Sequence, residues 1–147
     1  MIDLAERSAA TGEEKEVMQE VSWELAVFFA LSGIAMALVS CLIGMRPKVE
    51  NPAWWLVYAA WIAIVILTNA PAPFWTLWIA SMLAGLLHGA TSALLVDRYV
   101  QNNPWHQERM QGPRKKHQLQ FLIAGPIVGV VFGALVGGIG YGLARWI

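Results

Sequence analysis

The sequence predicts an all-α fold, a single domain (1–147) built as a membrane bundle of four transmembrane helices. Of its 147 residues, 57% are hydrophobic and only 14% are charged, whereas soluble domains have about 25% charged residues. Three stretches, 25–45, 51–96 and 118–144, lack Asp, Glu, Lys and Arg. Each is longer than the roughly 20 residues that a helix needs to cross the hydrocarbon core. They are apolar on every face, which excludes the alternation of a barrel strand.

The middle stretch is long enough for two helices. The segment "NAPAP" (69–73) interrupts it with two prolines, and proline removes a backbone donor and disfavours helix at the preceding residue. The sequence therefore predicts transmembrane spans over 22–45, 53–69, 74–97 and 118–146.

Two further helical segments are expected outside these spans. The motif "TGEE" (11–14) is a capping box and predicts an N-terminal helical extension over 12–21 that runs unbroken into the first span. The third helix is expected to continue past Asp97 and to end at Asn102–Asn103. Asn103 before Pro104 is typical of a helix N-cap with proline at the first helical position.

The basic residues predict the orientation. Seven of the ten lie in the segments 46–50 and 98–117, and three lie on the other side of the predicted membrane. Because positively charged loops stay in the cytoplasm, loop 98–117 is predicted to be cytoplasmic and both termini external, in the inner (plasma) membrane. Contact with anionic lipids is the alternative role of the loop's basic residues. They show no aromatic interleaving, so a nucleic-acid partner is not expected. The residues concerned are Arg109, Arg114, Lys115 and Lys116.

Small residues recur at four-residue spacing in two of the spans. Span three has Ser81, Gly85, Gly89 and Ala93, and span four has Gly125, Gly129, Gly133 and Gly137. In a bilayer, such small-xxx-small faces let two backbones approach closely. Spans three and four are therefore predicted to pack on each other. The alternative is that one stripe contacts a second copy or another membrane subunit, with a glycine-lined pore as one form of that contact.

Asp, Glu, Lys and Arg are missing from the predicted apolar cores, and His88 is the one histidine within them. We therefore expect no catalytic residues, no metal site and no enzymatic activity. His88 shares a helix face with Ser81 and Ser92. Four roles remain open for it: a structural hydrogen bond to a neighbouring helix, contact with a ligand such as a quinone, a proton or substrate step, and haem ligation, with Met36 or Met82 as the second axial ligand.

The eight tryptophans also allow two interpretations. Trp54, Trp55 and three others fall at expected span ends, where indole rings prefer the membrane interface. Binding of a pigment or another aromatic ligand is the alternative interpretation.

Three functions fit these features. The first is a small non-catalytic membrane subunit that scaffolds or assembles a larger complex, with other membrane subunits or itself as partner. The second is a small oligomeric channel, permease or holin-like pore. The third is a quinone- or haem-binding membrane anchor subunit that uses His88. The sequence indicates no particular cofactor.

Overall fold

The computed structural model describes residues 20–107 and 110–146, which form five α-helices and no strand. Four of the helices are long and apolar enough to cross a membrane, as the sequence predicts. These are α1 (Trp23–Leu42), α2 (Pro47–Leu67), α3 (Pro73–Leu94) and α5 (Arg114–Ala144), and α4 (Val96–Asn102) is short. Most of the predicted extension 12–21, and Arg109, lie outside the described residues.

The first span begins at a break in the helix. Ser22 has non-helical backbone angles (φ −75°, ψ 85°) and is the N-cap of α1, so the expectation that a helix runs unbroken into the first span is wrong. The Ser22 N–H donates to Thr76 Oγ1 at 3.2 Å, and the Thr76 hydroxyl donates to the Pro71 carbonyl at 3.2 Å. The start of α1 is thereby fixed against the start of α3.

The second span begins earlier in the chain than predicted, at Pro47 instead of 53. Proline suits the first position of a helix, because its fixed φ is helical and the N–H it lacks would have no partner there. Pro52, where the sequence indicated a boundary, lies inside α2. As a result, Glu50 belongs to the first turn of α2 and not to a loop.

The turn between α2 and α3 caps α2 with a left-handed residue. Asn69 has φ 49°, and the N–H groups of Asn69 and Ala70 donate to the carbonyls of Ile66 and Val65 at 3.1 and 3.0 Å. This is the Schellman arrangement, in which asparagine can replace the usual glycine. The segment 69–73 thus reverses the chain within a few residues.

Spans three and four pack on each other, as predicted from their small residues. A Cβ atom added at Gly129 would lie 2.6 Å from the Ser81 carbonyl oxygen and 3.0 Å from Met82 Cα. One added at Gly125 would meet the backbone of Gly85 and Gly89. No larger residue fits without moving a helix. We call this contact the α3–α5 seam, formed by Gly85 and Gly89 with Gly125, Gly129, Gly133 and Gly137.

The end of the bundle that carries the basic residues, here called the basic end, is closed by α4. The chain leaves helical geometry at Leu95 (φ −101°, ψ 23°) and resumes as α4 up to Asn102. The expectation that the third helix continues past Asp97 is therefore wrong, although helical structure does end at Asn102 as predicted. The predicted side-chain cap by Asn103 is not formed. The helix α5 starts at Arg114, before the predicted 118, so the basic run Arg114–Lys116 is its first turn.

Candidate functional site

A cleft lies between the first half of α2 and the α3–α5 seam. The buried residues of α2 are Tyr58, Trp61 and Val65, all in its second half, so this half attaches the helix to the bundle. Nearer the basic end, α2, α3 and α5 line a cavity of about 420 Å³. It opens on the outer surface of the bundle, because the lining residues Trp55 and Val128 are 47% and 49% exposed.

Aromatic side chains form the walls of this cleft. Tyr58 lies between Trp54 and Phe132, with ring centroids 5.6 and 6.2 Å away. The Trp55 ring meets Phe132 edge-on at 6.0 Å. These indole rings therefore face the cleft instead of serving only as interface anchors, which favours the aromatic-ligand interpretation of Trp54 and Trp55.

The floor of the cleft is backbone. Gly85, Gly89, Gly125 and Gly129, which form part of the seam, also line the cleft. Since they carry no side chains, the seam presents a flat surface opposite the aromatic walls. The same glycines thus let α3 and α5 pack closely and leave the space of the cleft beside them.

The carboxylate and the imidazole of the cleft meet at its basic end. His88 Nε2 lies 4.0 Å from Glu50 Oε1, and both side chains are less than one-fifth exposed. The same carboxylate oxygen accepts a hydrogen bond from Ser40 Oγ at 3.0 Å. The His88 ring packs edge-on against Trp54 with centroids 5.6 Å apart. His88 Nε2 is buried and has no hydrogen-bond partner among the described residues. This nitrogen can therefore still form a hydrogen bond with a ligand.

The two serines predicted to accompany His88 lie elsewhere. Ser92 is buried against Cys41, whose Sγ donates to Ser92 Oγ at 3.9 Å. Ser81 is buried under the seam next to Gly129 and Gly133. Neither lines the cleft. The helical wheel places the three residues on one face of α3, but that face is wide enough to contact α1, α5 and the cleft at different points.

Haem ligation gains no support from this geometry. Among the described residues, the cleft lining contains one histidine and no methionine, so it offers a single axial nitrogen. Within the described residues there is also no group of three His, Cys, Asp or Glu side chains that could hold a metal ion.

Glu50 is the site residue that the sequence analysis missed. The predicted second span begins at 53, which leaves Glu50 in the loop between spans one and two. The signal was present in the spacing: Glu50, Trp54 and Tyr58 are four residues apart and therefore share one face of a helix that begins at Pro47. Recognising Pro47 as the helix start would have placed a carboxylate on the aromatic face.

A network of asparagine side chains holds the basic end together. Asn103 is fully buried, donates to the carbonyls of Ser40 and Tyr99 at 2.8 Å each and accepts from the Met45 N–H at 3.1 Å. Burial raises the pKa of Tyr99 to about 12, so its phenol is neutral at neutral pH. Because Ser40 is bound on its backbone by Asn103 and on its hydroxyl by Glu50, this network positions the carboxylate of the cleft.

The predicted lipid-contact residues that the structure describes, Arg114, Lys115 and Lys116, lie outside the cleft on the surface of the basic end. Arg114 Nε lies 3.3 Å from Asp97 Oδ2, in an exposed ion pair. Lys115 and Lys116 are also exposed, and the Arg46 guanidinium lies over the Trp105 ring at 5.9 Å. These cations face outward and are separate from the carboxylate of the cleft.

Four apolar helices of membrane-crossing length define a multi-pass membrane protein, and the cleft is a concave site on its surface. Comparison of the chain with protein-family models, curated proteins and solved structures finds no match. The functional argument therefore depends on the chemistry of the cleft.

Proposed function

We propose that this protein is a non-catalytic integral membrane subunit that binds a small amphiphilic molecule taken from the bilayer. The observation that carries the proposal is the cleft itself, with aromatic walls, a glycine floor, and His88 and Glu50 together at one end. Its volume of about 420 Å³ falls in the range of ligand sites, about 300–1,000 Å³. The apolar body of the ligand lies along the aromatic rings and its polar group faces His88 and Glu50.

The polar end of the cleft supports a functional role over a purely structural one. Ionisable residues inside membrane spans are costly to bury and are characteristic of ligand or ion sites. A structural role would satisfy His88 with a hydrogen bond, yet its Nε2 has no such partner in the described part of the chain. Of the three functions considered from sequence, this arrangement is nearest to the third, the membrane anchor subunit that binds a small molecule at His88.

The proposal is tested by filling the cleft from its lipid-facing side. Val128 lines the cleft and Ile127 does not, although both are on α5 and are 49% and 57% exposed. Wild type, Val128→Trp and Ile127→Trp are labelled in detergent with a neutral trifluoromethyl-phenyldiazirine photoprobe, and labelled peptides are identified by mass spectrometry. We expect saturable labelling of the peptide that contains Trp54 and Trp55 in wild type and in Ile127→Trp, and its loss in Val128→Trp.

Two results would contradict the proposal. Labelling that rises linearly with probe concentration would mean that the cleft is ordinary lipid-facing surface. Equal labelling of Val128→Trp and Ile127→Trp would mean that the probe binds outside the cleft. Gel filtration of all three proteins checks that the added tryptophan has not disrupted the bundle.

Assembly with further membrane subunits, or with a second copy, is the second candidate function. Gly138 and Gly142 are four residues apart on α5, and a Cβ added at either would meet nothing within 4 Å. Such a face lets another helix approach closely. Replacing both glycines by leucine is expected to reduce any oligomer seen by native mass spectrometry without unfolding the monomer, and an unchanged oligomer would exclude this face. The seam glycines of α5 already contact α3, so they give no support to a glycine-lined pore.

We further propose that the protein resides in the inner membrane with both termini external. The support is the basic asymmetry of the sequence together with the exposed Lys115 and Lys116, which are placed to contact anionic headgroups. A reporter fused after the last residue is expected to read as external and one inserted at Gly112 as cytoplasmic. The opposite pattern would mean that the bundle has the reverse orientation in the membrane.

A further inference from the structure

We infer that the cleft selects ligands with a positively charged group, such as an amine or a quaternary ammonium on an apolar body. This inference depends on the proposed function and specifies its ligand class. It combines three observations: a largely buried carboxylate, aromatic walls around it, and the absence of Lys and Arg among the described residues that line the cleft.

The charge of the cleft is the first argument. Glu50 is the only Asp, Glu, Lys or Arg among the described residues that line it. His88 Nε2 is 4.0 Å from its carboxylate, which is beyond hydrogen-bond distance. The guanidinium groups of Arg46 and Arg114 face outward towards Trp105 and Asp97. A cationic ligand would therefore supply a counter-charge that the described lining residues do not, whereas an anionic one would be repelled.

The aromatic walls are the second argument. Tyr58 and Phe132 are nearly parallel, with an interplanar angle of 19°, and Trp54 lies between Tyr58 and the His88–Glu50 pair. Cations are attracted to the faces of Trp, Tyr and Phe rings, more strongly where water is excluded. A ligand whose charged group reaches Glu50 must lie along these rings, so both attractions act on the same molecule.

A neutral ligand would form fewer favourable interactions in this cleft than a cation. The carbonyl of a quinone could accept a hydrogen bond from His88 Nε2, but it would gain nothing from the Glu50 carboxylate or from the ring faces beyond apolar contact. The cleft offers more to a cation than to a neutral acceptor, and that difference is measurable.

The test compares two probes of the same shape and opposite charge, tetraphenylphosphonium and tetraphenylborate. Equilibrium dialysis measures their binding to the full-length protein in an uncharged detergent. The variants are Glu50→Gln, Glu50→Asp and the control Glu24→Gln, which changes an exposed carboxylate at the start of α1. We expect wild type, Glu50→Asp and Glu24→Gln to bind the cation saturably. Glu50→Gln should bind it at least about tenfold more weakly, with little change for the anion.

The outcomes separate this inference from the proposed function. If Glu50→Gln and wild type bind the cation equally while the neutral photoprobe still labels the cleft saturably, the charge selectivity is wrong and the binding function stands. If neither charged probe nor the neutral probe binds saturably, both fail. If Glu50→Gln does not fold, Glu50→Asp is compared with wild type by its ratio of cation to anion affinity. A carboxylate in contact with the ligand would keep that ratio high in Glu50→Asp, and a low ratio would contradict the inference.

Discussion

The α3–α5 seam and the first half of α2 lie on opposite sides of one cleft and are packed in opposite ways. At the seam, glycines allow direct backbone contact, so that a Cβ at Gly129 would come within 2.6 Å of another helix. Across the cleft, α2 presents the large rings of Trp54 and Trp55, and Trp55 is 47% exposed. Small residues let α3 and α5 touch, whereas large rings keep the first half of α2 away from them.

This difference shows how uneven helix packing in a membrane bundle can build a site. In a bilayer, helices gain little from hiding apolar surface from lipid, so close contact between small residues drives their association. A helix that lacks such residues over half its length packs on the bundle mainly through its other half. In α2 that other half contains Trp61 and Val65, 4% and 1% exposed. The cleft follows from this uneven attachment.

The largest effect is expected where α2 is attached. Trp61 is buried and stacks on Phe29, with ring centroids 5.2 Å apart, and removing such a ring typically costs about 3–5 kcal/mol. We expect Trp61→Ala to destabilise the bundle by roughly that amount. Trp55→Ala, on the cleft side, should cost less than about 1 kcal/mol, because nearly half of that side chain is already exposed. Unfolding in detergent, followed by circular dichroism, measures both.

Equal losses from the two tryptophan variants would break the comparison. They would mean that the first half of α2 is held as firmly as the second, and that the cleft contributes to stability as a packed region does.

The fold was largely predictable from the sequence, because charge-free stretches and the 69–73 turn determine the four spans. The packing of α3 on α5 was also predictable, since four-residue spacing of Gly125, Gly129 and their partners has few other physical explanations. The site was predictable only through His88. Its partner Glu50 was missed because the second span was predicted to begin at 53, while the structure shows that α2 begins at Pro47. Which part of α3 faces the cleft depends on how three helices are arranged, and no single helix encodes that.

An intermediate effect is expected at the seam. A Cβ at Gly133 would lie 2.9 Å from the Trp78 carbonyl oxygen and 3.1 Å from Ser81 Cβ, and Gly133 does not line the cleft. Overpacking of this kind costs about 1–3 kcal/mol, against a gain in helix propensity of up to ~1 kcal/mol. Gly133→Leu should therefore lower the thermal stability, whereas Val131→Leu, at a position 61% exposed, should leave it unchanged.

The oligomeric state of Gly133→Leu gives a second readout. Loss of the folded monomer agrees with a seam inside the bundle. A stable monomer that has lost an oligomer would place the glycine contact between chains and would overturn this description of the seam.

The smallest effect is expected at the polar end of the cleft, and it tests whether the open side is positioned by specific bonds or by packing alone. Ser40 Oγ donates to Glu50 Oε1 at 3.0 Å, and hydrogen bonds of this kind contribute about 1 kcal/mol or somewhat more. Ser40→Ala should lower the free energy of unfolding by about that amount and weaken tetraphenylphosphonium binding, because the carboxylate loses its tether. Ser32→Ala is the matched control on the same helix, since Ser32 Oγ has no hydrogen-bond partner among the described residues and its removal should cost almost nothing. If the two alanine variants behave alike in both measurements, Glu50 is positioned by the fold of α2 alone, and the network that joins Asn103, Ser40 and Glu50 has no influence on the cleft.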